Sequence, residues 1–300
     1  MEKHLLILPP VNGRMRNWLG LCKNIKCLNV GVNGITLKSR KIGRLNDITA
    51  KVAILIAVFK VRPLDTGVSR FYLLRPSERR NASHNFALNI RGKDIKFMIN
   101  REGGYGILSV YKFEPVVSSF LTSMHGEIFI DIGANAGGYT IPCSANFRKV
   151  ISIEPGKEAR SILLENISLN GISNVEVLSD AICNKEEKVR LYKSRALVNF
   201  SLEHESPYFE EVNAVKLDKL LLNNQSVDLL KIDVEGAELE VIMSGLGEIH
   251  RVKNIVIEVR EIFKEQIIKL QEERNFVCYM LEDRVKISES NLLFVNSSFK

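Results

Sequence analysis

A chain of 300 residues, 45% of them hydrophobic, suits one large domain or two smaller ones with a packed core. Its five cysteines (Cys22, Cys27, Cys143, Cys183 and Cys278) include no Cys-x-x-Cys pair, which argues against a zinc site or a disulfide framework. The net charge of +7 is uneven: residues 1–85 carry 16 Lys and Arg against 4 Asp and Glu, and the remainder 26 against 31.

A basic front end on a slightly acidic body fits a polyanionic partner or a merely solvated basic surface. The longest apolar run, Val52 to Phe59, is far shorter than the roughly 20 residues of a membrane span. The start, Met1-Glu2-Lys3-His4, carries an acid and runs into Pro9-Pro10, so it makes a poor signal peptide. A soluble, cytoplasmic protein is the expectation.

In chain order, residues 1–50 are broken repeatedly by glycine and hold a small basic-aromatic cluster, Arg14, Arg16 and Trp18. Ile48 to Val61 reads equally as a short helix or a buried strand. Tyr72 to Arg80 is arginine-rich. Phe86–Ile90 and Ile95–Ile99 flank Arg91-Gly92-Lys93-Asp94 as a hairpin. A glycine loop follows at 102–106. Lys112 to Met124 is a helix with Phe113, Val116, Val117, Phe120 and Leu121 on one face. The expected division is a basic accessory region over 1–110 and a second domain over 111–300.

The stretch Phe129 to Thr140 organises the second domain. A strand from Glu127 to Asp131 enters a turn of small residues, and a helix opens at about Gly138. A strand, a glycine turn and a helix N-terminus form a cofactor cradle. Read as Gly-x-Asn-x-x-Gly, the turn misses the middle glycine of the dinucleotide fingerprint, because Asn135 stands there. Asp131 before the turn would repel a pyrophosphate and favour a cationic amino-acid head. S-adenosylmethionine has such a head and no phosphate. A second strand, Val150 to Ile153, ends in Glu154-Pro155. Glu154 lies where a ribose diol is bound in such folds.

Gly156 to Asn170 reads as a helix and Val175 to Ser179 as a third strand, with Asp180-Ala181 at its end. Asp180 is an adenine contact or a plain turn aspartate. Val189 to Tyr192 is an extra strand. Residues 194–213 are a polar, irregular loop with His204 as a candidate base. Val227 to Asp233 is the fourth strand, with Lys231 and Asp233 on one face and Glu235 just beyond. A helix follows over Ala237 to Leu246, where Glu235 and Glu238 favour the N-terminus. Asn254 to Val259 is a fifth strand carrying Glu258 inside an apolar run. A helix over Glu261 to Glu273 and a hairpin (Phe276–Leu281 and Leu292–Val295) close the pattern. Alternating strands and helices imply a mostly parallel sheet, and the reversed strand makes a seven-stranded sheet similar to the common methyltransferase fold.

The motifs D-I-G-A-N-A-G-G-Y-T (131–140), I-E-P (153–155) and L-L-K-I-D-V-E-G-A-E (229–238) resemble the FkbM family of S-adenosylmethionine-dependent methyltransferases, over roughly Glu127 to Arg260. The resemblance implies a Rossmann-like class I methyltransferase fold. It implies S-adenosyl-L-methionine as cofactor, held around Asp131, Gly133, Ala134, Asn135, Gly137, Tyr139, Glu154, Asp180 and Ala181. It implies O-methylation of a sugar, glycan or other hydroxylated metabolite.

Asp233 is the first choice for a catalytic base, with Glu235 and Glu258 in reserve and Lys231 to pair with these acids or orient the acceptor. A divalent metal on Asp233, Glu235 and Glu258 ranks below metal-free catalysis. The basic front end suggests a phosphate-bearing acceptor or peripheral contact with an anionic surface. RNA methylation is the alternative, with no recognised RNA-binding module behind it. A non-catalytic cofactor-binding protein is the third reading.

Overall fold

A computed structural model describes residues 25–31, 34–39, 68–73, 84–99, 114–193, 200–201, 207–284 and 288–299. The chain divides into two compact units, Met1–Ser119 and Phe120–Lys300. In the first, β1 (Ile25–Gly31) and β2 (Gly34–Ser39) pair antiparallel. Three further strands, β3 (Val68–Leu73), β4 (His84–Ile90) and β5 (Lys93–Ile99), form an antiparallel sheet in that order. The expected hairpin is present, with a tighter turn: Ile90 pairs with Lys93, so only Arg91 and Gly92 lie between the strands. Leu88, Ile90, Ile95 and Phe97 are buried along it. Arg14, Arg16, Trp18, Arg75, Arg79, Arg80, the 102–106 loop and His204 lie outside the described residues, as do residues 48–61.

Helix α1 (Pro115–Ser123) leads into the second unit. There follow β6 (Gly126–Ile132), α2 (Thr140–Cys143), β7 (Phe147–Ile153), α3 (Lys157–Leu169) and β8 (Val175–Leu178). Next come β9 (Ala181–Ile182), β10 (Lys188–Lys193), β11 (Phe200–Ser201) and β12 (Phe209–Val215). The chain continues through α4 (Leu217–Leu222), β13 (Val227–Ile232), α5 (Glu238–Met243) and β14 (Val252–Arg260). It closes with α6 (Glu261–Glu272), β15 (Phe276–Arg284) and β16 (Glu289–Asn296).

Seven strands make the main sheet, in the order β15-β16-β14-β13-β6-β7-β8. Strands β14, β13, β6, β7 and β8 run parallel, and β16 is antiparallel to both its neighbours. This is the class I methyltransferase arrangement. From β6 the chain builds outward to one side, then returns to build β13 and β14 on the other. The carboxyl ends of β6 and β13 therefore meet at the switch point, where open α/β sheets bind ligands.

The central strands are buried on both faces, and alternation divides the labour. Ile130, Ile132, Ile151, Ile153, Leu230, Ile232, Ile255 and Ile257 belong to one apolar core with Leu217 and Leu221 of α4, Val241 and Ile242 of α5 and Ile267 of α6. Each such side chain contributes on the order of 1.5–3 kcal/mol by leaving water. The residues between them, Asp131, Ser152 and Lys231, are buried and polar, and register aligns them: Asp131 is opposite both Ser152 and Lys231.

Three local expectations differ from the structure. Residues 194–213 are not wholly irregular, because β12 pairs antiparallel with β10 and parallel with β9 in a second sheet, β11-β10-β12-β9. Only every other residue of β12 faces the body, so its hydrophobic signal is thin. The helix expected from Gly138 begins at Thr140, lasts four residues and passes into a 3-10 turn, Ser144–Asn146. The helix after β13 covers only Glu238–Met243. No described helix is long and apolar enough to cross a membrane.

Candidate active site

The turn after β6 is sewn to its neighbours by backbone. Gly133 and Ala134 both donate to the Ile153 carbonyl, at 2.9 and 3.0 Å, and the Asp233 N–H donates to the Ile132 carbonyl at 3.0 Å. Gly133 has φ +80°, and a Cβ there would lie 1.7 Å from the Asp233 carbonyl oxygen. Glycine is thus required by the chain's own close approach, which brings the β6 turn against the end of β13. Asn135 also has a positive φ of 48°, which asparagine tolerates. Its side-chain oxygen accepts from the Ala136 N–H at 2.8 Å. The Gly137 N–H donates to the Ala134 carbonyl at 2.8 Å, and Tyr139 beyond it is buried.

Glu154 straps this turn to the end of β7. One carboxylate oxygen accepts from the Asn135 N–H at 2.8 Å and the other from the Gly156 N–H at 2.8 Å. Burial pushes its carboxyl up to about 7, against the pull of the two N–H donors and Arg160. Arg160 in turn donates to the carbonyls of Glu154 and Pro155. Each Glu154 oxygen has a second lone pair for a ligand hydroxyl.

Asp131, only 1% exposed, accepts from the Thr140 hydroxyl at 2.6 Å through Oδ2, while Oδ1 has no hydrogen-bond partner. Burial raises its carboxyl; Lys231 and Thr140 oppose this, and Asp233 adds to it. Lys231 lies 2.9 Å from Asp233 Oδ2, and its ammonium sits 4.8 Å from the centre of the Tyr139 ring. A lysine buried to this degree needs such a partner, since an unpaired ammonium would be expelled or neutralised. Asp131, Tyr139, Lys231 and Asp233 are thus one cluster at the switch point.

The other acids lie around it. Glu235 has a positive φ of 49°, unusual for a glutamate and a form of strain that gathers at functional sites. Although the residue is exposed, desolvation of its carboxyl, with Asp233, Glu289 and Glu238 nearby, pushes it up to about 7. Glu238 accepts from the Gly236 N–H at 2.6 Å, the helix-start role its position suggests, and pairs with Arg260 at 3.8 Å. Glu258 is half-buried on β14 opposite Asn291, on the sheet face that carries Lys231. Asp180 is half-buried before β9, and Ala181 packs with Cys183 and Ala214, so Ala181 offers a ligand only backbone. Among the described residues, no group of three or more His, Cys, Asp and Glu is arranged to hold a metal ion.

Sequence reasoning missed Thr140 and Ser152, whose hydroxyls lie 2.8 Å apart beneath Asp131. Their place between Asp131 and the β7 register was the available signal. It also missed Asp228 at the other end of β13. Asp228 accepts from the Glu127 and Ile128 N–H groups at 2.7 and 3.0 Å and pairs with Lys253 at 2.7 Å.

The methyltransferase FkbM domain model matches residues 131–279. Methyltransferase sdnD of Sordaria araneosa is 29% identical over 188 residues, 49% of this chain and 72% of that protein. Two crystal structures are similar at low identity. Methyltransferase FkbM from Methylobacillus flagellatus KT is 14% identical, with a TM-score of 0.41, over 63% of this chain and 53% of that one. A Streptococcus mutans protein solved in complex with SAH is 13% identical, with a TM-score of 0.40, over 66% and 99%. Residues 131–279, which hold the motifs at Asp131, Glu154 and Asp233, are thus a methyltransferase domain of the FkbM type.

Proposed function

We propose that this methyltransferase moves the methyl group of S-adenosylmethionine to a hydroxyl of a sugar, glycan or other hydroxylated metabolite. The observation that carries this reading is the Lys231–Asp233 pair at the end of β13, touching the Gly133 turn. When bound, S-adenosylmethionine supplies an electrophilic methyl on a sulfonium. The residues present fit it. Asp131 Oδ1 is a buried acceptor without a partner, suited to an ammonium group. Glu154 retains lone pairs for ribose hydroxyls.

Methyl transfer is mainly a matter of alignment, and a hydroxyl acceptor also has a proton to lose. Asp233 takes that proton on its carboxylate. Lys231 fixes the carboxylate's direction, and Tyr139 backs the ammonium and keeps water from it. Such a base is worth roughly 10²–10⁴-fold in rate. Residues 1–110 act as a basic accessory region. Their charge, 16 cations against 4 anions in residues 1–85, favours a phosphate-bearing acceptor and is the observation that favours RNA as the second reading.

The test begins with calorimetry of S-adenosylmethionine and NAD, then methyl transfer to hydroxylated sugars, nucleotide sugars and RNA. Asp233→Asn keeps an oxygen for Lys231 and loses the carboxylate. Turnover is expected to fall about 10²-fold or more with cofactor affinity unchanged. Normal turnover in that variant would remove Asp233 as the base, and methylated RNA with untouched sugars would establish the second reading.

A further inference from the structure

Three buried oxygens lie in a row under the cofactor turn. Thr140 Oγ1 is 2.6 Å from Asp131 Oδ2 and 2.8 Å from Ser152 Oγ. Thr140 and Ser152 are fully buried and Asp131 nearly so. A hydroxyl has a single proton to donate. An ionised Asp131 can only accept, so the Thr140 proton points to it, and Ser152 must donate to Thr140. The direction of the row is then fixed: Ser152 to Thr140 to Asp131. If Asp131 takes up a proton, it becomes a donor and the row reverses. The two hydroxyls accommodate both states, but only one leaves a negative Asp131 with Oδ1 open.

We propose that Thr140, backed by Ser152, is a positioning residue that keeps Asp131 ionised and turned toward the ammonium of S-adenosylmethionine. The inference rests on the cofactor reading above. The other charges facing Asp131 are Lys231, which stabilises its ionised form, and Asp233 and Glu154, which oppose it. Lys231 is already committed to Asp233 at 2.9 Å, so a short hydrogen bond to Asp131 from the other side has a distinct effect. A hydrogen bond to a charged group is stronger than one between neutral groups, and losing this hydroxyl leaves only the Thr140 backbone N–H and Lys231 to favour the buried charge.

The test uses the full chain with Thr140→Val, which keeps the shape, Thr140→Ser, which keeps the hydroxyl, and Ser152→Ala. Two readouts are needed: carboxyl NMR titration of Asp131 in the ligand-free protein, and calorimetric S-adenosylmethionine affinity against pH. Thr140→Val should weaken cofactor binding at neutral pH by about tenfold or more. It should also move the Asp131 titration, and the acid limb of cofactor affinity, up by about one pH unit. Thr140→Ser should restore both, and Ser152→Ala should show a smaller shift in the same direction. An Asp131 titration unchanged in Thr140→Val would overturn the relay, whatever the cofactor. A wild type that binds no S-adenosylmethionine while its Asp131 titration shifts in Thr140→Val would instead overturn the cofactor reading.

Discussion

Replacing Gly133 by alanine tests the joint on which the site depends. The new Cβ would lie 1.7 Å from the Asp233 carbonyl oxygen and 2.8 Å from its carbon, where ordinary contact begins at 3.4 Å. The obstacle is backbone, so no side chain can swing aside, and the end of β13 must retreat by more than an ångström. That movement strains or breaks the Asp233 to Ile132 hydrogen bond, now 3.0 Å long, worth about 0.5–1.5 kcal/mol. Overpacking adds about 1–3 kcal/mol, and a left-handed alanine about 1 kcal/mol. The total is about 2.5–5.5 kcal/mol.

Gly171 provides the control, because it has a similar φ of +63° and nothing within 4 Å of the added carbon. Gly171→Ala should lose only the dihedral part, about 1 kcal/mol. Urea unfolding of both variants, with unchanged m-values, isolates the contact. Residual activity of Gly133→Ala should fall about 10²-fold, since a misplacement of this size at a reacting centre has that effect. If Gly133→Ala proves no more destabilising than Gly171→Ala, the two strand ends are not in the contact described, and the coupling of cradle to Asp233 fails with it.

Glu154 predicts a pH dependence of stability. Its carboxyl titrates near 4.5 when free and is held at about 7 in the fold. Between these values the native state keeps a proton that the unfolded chain has lost. Stability from this group is therefore full below about 4.5 and is lost as pH rises through 7, by about 3 kcal/mol. Between pH 4.5 and 7.5 the unfolding free energy should fall by about 3 kcal/mol less in Glu154→Gln than in the wild type, since Glu235 and the other buried acids titrate in both; parallel profiles would contradict it. Asp228→Ala strips two N–H groups and Lys253 of their partner and should destabilise by about 2–3 kcal/mol. It lies at the far end of β13, so cofactor affinity should stay within twofold, and a larger change would mean that the sheet transmits the damage. Acceptor binding should weaken with salt while cofactor binding does not, and equal salt slopes after removing the basic front end would show that this charge is only solvated surface.

The central strands were legible because continuous apolar runs such as Phe129-Ile130 and Leu229-Leu230 end in turn residues and acids at the same point of each βα unit. Asp131, Glu154 and Asp233 could be read for the same reason. What glycine does at 133 could not, since its close neighbour lies 100 residues further along the chain. Ser152 looked like an ordinary strand residue until register set it opposite Asp131. Strand β12 stayed hidden because Glu210, Glu211 and Asn213 dilute its alternation, and its place comes from pairing with β10 and β9. Helix α4 is too short, at six residues, to show a period.

The insertion of β16 between β14 and β15 has a bearing on biosynthesis. During translation, β15 emerges before the strand that must hold it, and β14 waits with one row of N–H and carbonyl groups open. No earlier strand can fill that gap without disturbing the order of the sheet. Until β16 docks, an incompletely folded chain therefore displays a long, apolar strand edge, Ile255 to Val259, to any other such chain nearby. Protection by a chaperone would matter most in that interval, and a substitution that slows the docking of β16 should raise aggregation during refolding.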